Sequence, residues 1–147
     1  MSRLFYDSNF TGDISKWDVG KVTNMSSMFE GSKFNGDIAD WNVSNVRDMH
    51  NMFRGSTFSF NKKMNPFNGN IGKWNVCNVI DMHEMFYYSK FNSDISQWNV
   101  WNVANMEYMF AESKFNKNIS NWNINKNCKK FAIFAACPIK GEYRPNL

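Results

Sequence analysis

The stretch Phe91-Asn92-Ser93-Asp94-Ile95-Ser96-Gln97-Trp98-Asn99-Val100-Trp101-Asn102-Val103-Ala104-Asn105-Met106-Glu107-Tyr108-Met109-Phe110-Ala111-Glu112-Ser113-Lys114 decides the fold, because the chain repeats it. Trp17, Trp41, Trp74, Trp98 and Trp122 are spaced 24, 33, 24 and 24 residues apart. The long gap is one period plus a nine-residue insertion, residues 58–66. Around each tryptophan the apolar frame is the same. One copy reads Phe34, Ile38, Trp41, Val43, Val46, Met49, Met52, Phe53, and the next reads Phe67, Ile71, Trp74, Val76, Val79, Met82, Met85, Phe86. Periodicity on this scale marks units that bury their apolar faces against one another rather than in one globular centre.

Repeats therefore start at Phe10, Phe34, Phe67, Phe91 and Phe115, preceded by a half repeat over residues 1–9. In the fifth copy Asn127 and Lys130 replace core positions, and a dense apolar run, Phe131 to Ile139, follows. A stack must cover its last layer, so residues 123–139 read as a C-terminal cap and 140–147 as a tail beyond a single domain, 1–139. The Ile-x-x-Trp-x-Val portion suits a short strand with residues two apart on one face. The Val-x-x-Met-x-x-Met-Phe portion, with its three-residue steps, suits a short helical or 3-10 turn. The expected fold is a repeat solenoid, with short parallel strands stacked on one face and such turns opposite.

The motif Phe-Asn-x-Asp-Ile-Ser-x-Trp-Asn-Val-x-Asn-Val-x-x-Met-x-x-Met-Phe resembles that of the BspA-like leucine-rich-repeat surface proteins. The closest likeness is to the branch with Trp-Asn-Val repeats, abundant in mycoplasmas and present in other bacteria and protists. The resemblance covers residues 1–139. It implies a leucine-rich-repeat-like solenoid, display at the cell surface or outside the cell, and adhesion or protein binding. The chain departs from the pattern in its few repeats, in the insertion at 58–66, and in lacking a signal or lipoprotein segment.

Composition narrows the function classes. The formal charge is +4 and no run of five or six like charges occurs, so the basic stripe expected of a nucleic-acid binder is absent. No stretch of 18 apolar residues could span a bilayer, and residues 1–25 lack the layout of a signal peptide. Cys77, Cys128 and Cys137 have no zinc spacing and read as free thiols, with a Cys128–Cys137 bridge as the alternative. Asparagine occurs 23 times, which favours turns over helix interiors.

Stacking puts equivalent residues in columns, and the columns carry the candidate sites. The residue after each tryptophan, at Asn42, Asn75 and Asn99, faces away from the core. It forms either a polar binding surface or an asparagine ladder bonded along the stack. Trp101 interrupts the column Gly20, Ser44, Cys77, Asn125; it is a binding anchor or packs on a neighbouring chain. The insertion offers Phe58 and Phe60 to a ligand, or folds back over the stack and hides them. His50, His83 and Glu107 share a column that two imidazoles and a carboxylate could use for a divalent ion, against the simpler reading of solvated side chains. The column Asp13, Asp37, Asn70, Asp94, Asn118 suggests calcium or, better, Asx turns. No catalytic constellation or cofactor motif appears. The expected function is a non-enzymatic module binding a protein or glycan; the alternative is an assembly protein that self-associates through its ends or edges.

Overall fold

A computed structural model of the chain describes residues 1–58, 60 and 62–147. Ser59 and Asn61, both in the insertion, lie outside the described residues. The 24-residue period is a layer repeat. The backbone N–H groups of Met25, Ser27, Phe29 and Gly31 donate to the carbonyls of Asp48, His50, Met52 and Arg54 in the next layer at 2.8–3.0 Å. The same four rungs recur from Met49, Asn51, Phe53 and Gly55, from Met82, Glu84, Phe86 and Tyr88, and from Met106, Tyr108, Phe110 and Glu112.

The layers are not made of strands and helices, and this corrects the expected fold. Parallel pairing is confined to isolated bridges, which join Asn24, Asp48, Asp81, Asn105 and Lys129 in sequence and Asn65 to Ser89. Among the described residues no strand or sheet forms, and the only helical element is a 3-10 turn, Gly141–Tyr143. The leucine-rich-repeat solenoid of parallel strands is therefore absent. The reason lies in the backbone. Where the strand was expected, turns close instead: Trp41 N–H donates to the Ile38 carbonyl at 3.2 Å and Val46 N–H to that of Val43 at 2.9 Å. Where the helix was expected, Ser27, Asn51, Glu84, Tyr108 and Ala132 all have φ between 51° and 57°. Four residues on, Gly31, Tyr88, Glu112 and Ala136 are left-handed again. A left-handed residue ends a right-handed helix and breaks an extended run, so each layer is a succession of tight turns.

Side chains supply the continuity that strands do not. Phe5, Phe29, Phe53, Phe86, Phe110 and Phe134 form a column with ring centroids 5.5–5.9 Å apart and planes within 9°. Phe10, Phe34, Phe67, Phe91 and Phe115 form a second, at 6.1–6.5 Å. The two columns touch within each layer, for instance Phe53 and Phe67 at 4.0 Å. Isoleucine, valine and the paired methionines of the first four repeats fill the remaining core, and flexible thioethers suit the gaps between rings.

Buried indoles tie the layers together: Trp41, Trp74, Trp98 and Trp122 each donate through Nε1 to the isoleucine carbonyl of the preceding layer at 3.0–3.2 Å. Trp17 has no full layer before it and is 41% exposed, against 3–5% for the other four. At the other end Cys128 and Ile133 are buried. The residues that follow keep the register as well. Ile139 is buried in the position of the repeat phenylalanine, Lys140 N–H donates to Asn116, and Tyr143 accepts from Ile119 N–H.

The insertion is pinched at its base, where Ser56 and Lys63 pair antiparallel through two bonds of 2.8–2.9 Å. Asn65 then takes the place that serine holds in other repeats. Its Oδ1 accepts from Phe67 N–H at 3.1 Å, as Ser32 Oγ does from Phe34. Its Nδ2 reaches the Phe29 carbonyl at 2.7 Å, a distance a serine could not span. Gly55 admits the close approach of the neighbouring backbone, since a Cβ there would lie 2.1 Å from the Tyr88 carbonyl oxygen and 2.8 Å from that of Lys63.

Candidate functional site

The outward asparagines are held locally. The Oδ1 atoms of Asn42, Asn75 and Asn99 accept from the N–H two residues on, of Ser44, Cys77 and Trp101, at 3.2 Å each. These are Asx turns, not the ladder expected along the stack. The ladder exists one column away, after the repeat phenylalanine. Asn35 accepts from Asn68 N–H, Asn68 from Asn92 N–H, and Asn92 from Asn116 N–H, at 2.7–2.9 Å. A third set, Asn45, Asn78 and Asn102, donates to the carbonyls of Gly20, Ser44 and Cys77 in the layer below.

Trp101 stands between two of these devices. Its own N–H is bound by Asn99, and its neighbour Asn102 is fastened to Cys77 at 2.7 Å. The backbone is thus fixed while the side chain stays 46% exposed. Ile80 lies one layer down beneath Ala104, its carbonyl accepting from Ala104 N–H at 2.8 Å, and is 44% exposed. Sequence reasoning missed Ile80. Its column reads Thr23, Arg47, Ile80, Ala104, and an isoleucine in so polar a column was the available signal.

The phenylalanines of the insertion are not hidden. Phe58 is 62% exposed and Phe60 97%. Phe58 sits over a cleft shared with Tyr6, Asp7, Glu30 and Arg54. On the other side Lys62 lies 4.7 Å from the Tyr88 ring centroid and 3.7 Å from Glu112. Phe58 and Lys62 thus contact different layers of the stack. Beneath it Arg54 bridges Glu30 at 3.1 Å and Glu84, carboxylates from the layers on either side, and lies 5.2 Å from the centre of the Tyr87 ring. Burial, then the hydrogen bond to Glu112, raises the Tyr87 phenol above its ordinary range.

His50, His83 and Glu107 do not converge. His50 Nδ1 is 2.8 Å from Asp48, His83 Nε2 is 3.7 Å from Glu84, and His83 meets Tyr108 edge to face. No group of three or more potential metal ligands gathers among the described residues. The acidic column makes Asx turns throughout, Asp13, Asp37, Asn70, Asp94 and Asn118 each accepting from the N–H two residues on. The Ser96 and Ser15 backbone N–H groups hold the carboxyls of Asp94 and Asp13 below the usual range. An open polar hollow of about 400 Å³ adjoins Asp94, Lys117, Asn118 and Asn121. All three cysteines are free thiols, and burial pushes Cys128 and Cys137 up.

The repeat frame that builds these surfaces is also what relates the chain to others. The profile of a family described as "Mycoplasma protein of unknown function, DUF285" matches residues 1–68 and again 58–139. The chain belongs to this family. The two DUF285 matches meet in the insertion and together span all five repeats. Kinship with mycoplasma repeat proteins is thereby shown, and the narrower likeness to BspA-like proteins receives no support from the DUF285 match. No curated protein and no solved structure matches the chain. No helix among its described residues is long and apolar enough to cross a membrane.

Proposed function

We propose that this chain is a non-enzymatic recognition module that binds a protein or glycan through the corner bearing Trp101. The observation that carries this reading is a half-exposed indole on a backbone fastened at Asn99 and Asn102. An aromatic held this way loses little conformational freedom on binding, and its ring stacks on a sugar face or fills an apolar pocket. The Asx turns of Asn75 and Asn99 leave a polar rim beside it. The likeness of the repeat motif to surface proteins adds a place of action, adhesion at the cell surface. The test is an array of glycans and proteins probed with the native chain and with Trp101→Ala. Loss of the captured ligands in the variant supports the corner as the site; equal capture by both discards it.

A further inference from the structure

Two rows of asparagine flank the column that holds Trp101, and backbone engages one half of each amide. The Oδ1 atoms of Asn42, Asn75 and Asn99 accept from the N–H groups of Ser44, Cys77 and Trp101. The Nδ2 groups of Asn45, Asn78 and Asn102 donate to the carbonyls of Gly20, Ser44 and Cys77. Only an amide oxygen accepts from N–H and only an amide nitrogen donates to a carbonyl, so neither row can flip. The halves left over are therefore fixed in kind. The first row offers three Nδ2 donors and the second three Oδ1 acceptors. All six side chains are exposed, and those halves have no partner among the described residues.

The two rows meet at single residues. Asn42 holds the Ser44 N–H and Asn78 its carbonyl, while Asn75 holds the Cys77 N–H and Asn102 its carbonyl. Free donor and free acceptor thus recur together at the layer spacing, roughly 4.8 Å for bridged parallel segments. The first layer has Asp18 and Lys21 in these columns and the fifth has Lys126, so the uncharged rows cover three layers.

We propose that this track takes a neutral oligosaccharide lying along the stack, with one sugar ring stacked on Trp101. The inference rests on the Trp101 reading and narrows its ligand. A sugar hydroxyl both donates and accepts, so fixed donors beside fixed acceptors match a chain of hydroxyls. One pyranose of an extended β1,4-linked chain is close to one layer long, so three units cover the track. Six neutral amides give no counter-charge to a sulfated or acidic sugar. An extended peptide returns to the same face only every second residue, about 6.7 Å, and falls out of register with the layers. Trp101 supplies the apolar surface that the amides lack, and its exposed indole face suits the C–H groups of a pyranose.

Titration calorimetry with β1,4-linked oligomers of glucose, mannose and N-acetylglucosamine, each of two, three and six units, tests this. At least one series is expected to bind, more tightly at three units than at two and little more at six. Trp101→Ala is expected to abolish binding. Asn75→Ser keeps an acceptor for the Cys77 N–H, as Ser32 does for that of Phe34 at 3.2 Å, and removes the free donor. It is expected to weaken binding roughly three- to tenfold, the worth of one net hydrogen bond, with an unchanged thermal midpoint. A maleimide on Cys77, half-buried between the rows, is expected to block binding as well. No binding by any series overturns the glycan assignment; the Trp101 reading survives that result if the array still yields a ligand lost in Trp101→Ala. Oligomers bound equally by the native chain and Trp101→Ala overturn both. Equal affinity for two and six units, or equal binding by Asn75→Ser and the native chain, overturns the track.

Discussion

The indole Nε1 of Trp74 donates to the carbonyl of Ile38 in the layer below at 3.0 Å. That carbonyl also receives Trp41 N–H at 3.2 Å, so one oxygen closes a turn and joins two layers. Trp74→Phe removes the second bond and part of a ring that is only 4% exposed. The expected cost is about 1–2 kcal/mol, near the value of a net hydrogen bond because Ile38 keeps one donor. Trp17→Phe, at a site with no preceding indole partner, is expected to cost clearly less. Chemical denaturation of the two variants side by side checks the contrast.

Arg54 stands between two carboxylates, those of Glu30 and Glu84, with the three side chains only 13–21% exposed. Arg54→Met leaves the acids of two neighbouring layers without their bridge. The expected destabilisation is about 1–3 kcal/mol, below that of a fully buried pair because water still reaches the groups. Arg54→Lys recovers part of it, since an ammonium cannot present two arms in a plane. Added salt is expected to narrow the gap to the native chain, read as thermal midpoints at low and high ionic strength.

The division between what was legible in the sequence and what was not follows one physical line. Apolar spacing is set by the core, so the positions of Phe29, Phe53, Phe86 and Phe110 could be read as one column, as could the insertion that shifts them. Backbone conformation is not set by that spacing. The three-residue steps from Val46 through Met49 to Met52 fit a helix and fit equally a chain of turns with Asn51 left-handed. Glu84 and Tyr108 hold the same conformation without being glycine, so no residue type announced it. Among the site residues, the Asx turns of Asp13 and Asp94 were legible because each acts on a neighbour two residues away. The partners of Asn68 and Asn78 depend on which backbone atom the neighbouring layer presents, whereas Asn42 closes a local turn, so identical amides in three columns do three different things.

Cys128 and Cys137 are pushed up by burial, so near neutral pH both remain thiols and react slowly. Cys77 is half-buried at the Trp101 corner. A maleimide titration of the native chain is expected to modify Cys77 first, with the other two following only as denaturant is added. Mass spectrometry of the peptides reads the order, and early modification of Cys128 would contradict the packing of the last layer.

Acid is expected to weaken the fold, with Asp94 contributing. Its carboxyl is held below the usual range mainly by Ser96 N–H. The stabilisation is therefore complete above the unfolded value, near pH 4, and is lost as pH falls through the lower folded value. Asp94→Asn, which reproduces what Asn70 and Asn118 already do, should flatten the acid limb of the stability curve slightly. Melting temperatures recorded from pH 2 to pH 6, on the order of the carboxylate range, compare the two.

The central claim is that successive layers are joined rung by rung at the 24-residue period. Scalar couplings transmitted across hydrogen bonds, measured by NMR on the labelled chain, test it most directly. Couplings are expected from the amide nitrogens of Glu84, Phe86 and Tyr88 to the carbonyl carbons of Glu107, Met109 and Ala111. Their absence, or their appearance between residues in any other register, would contradict the stack.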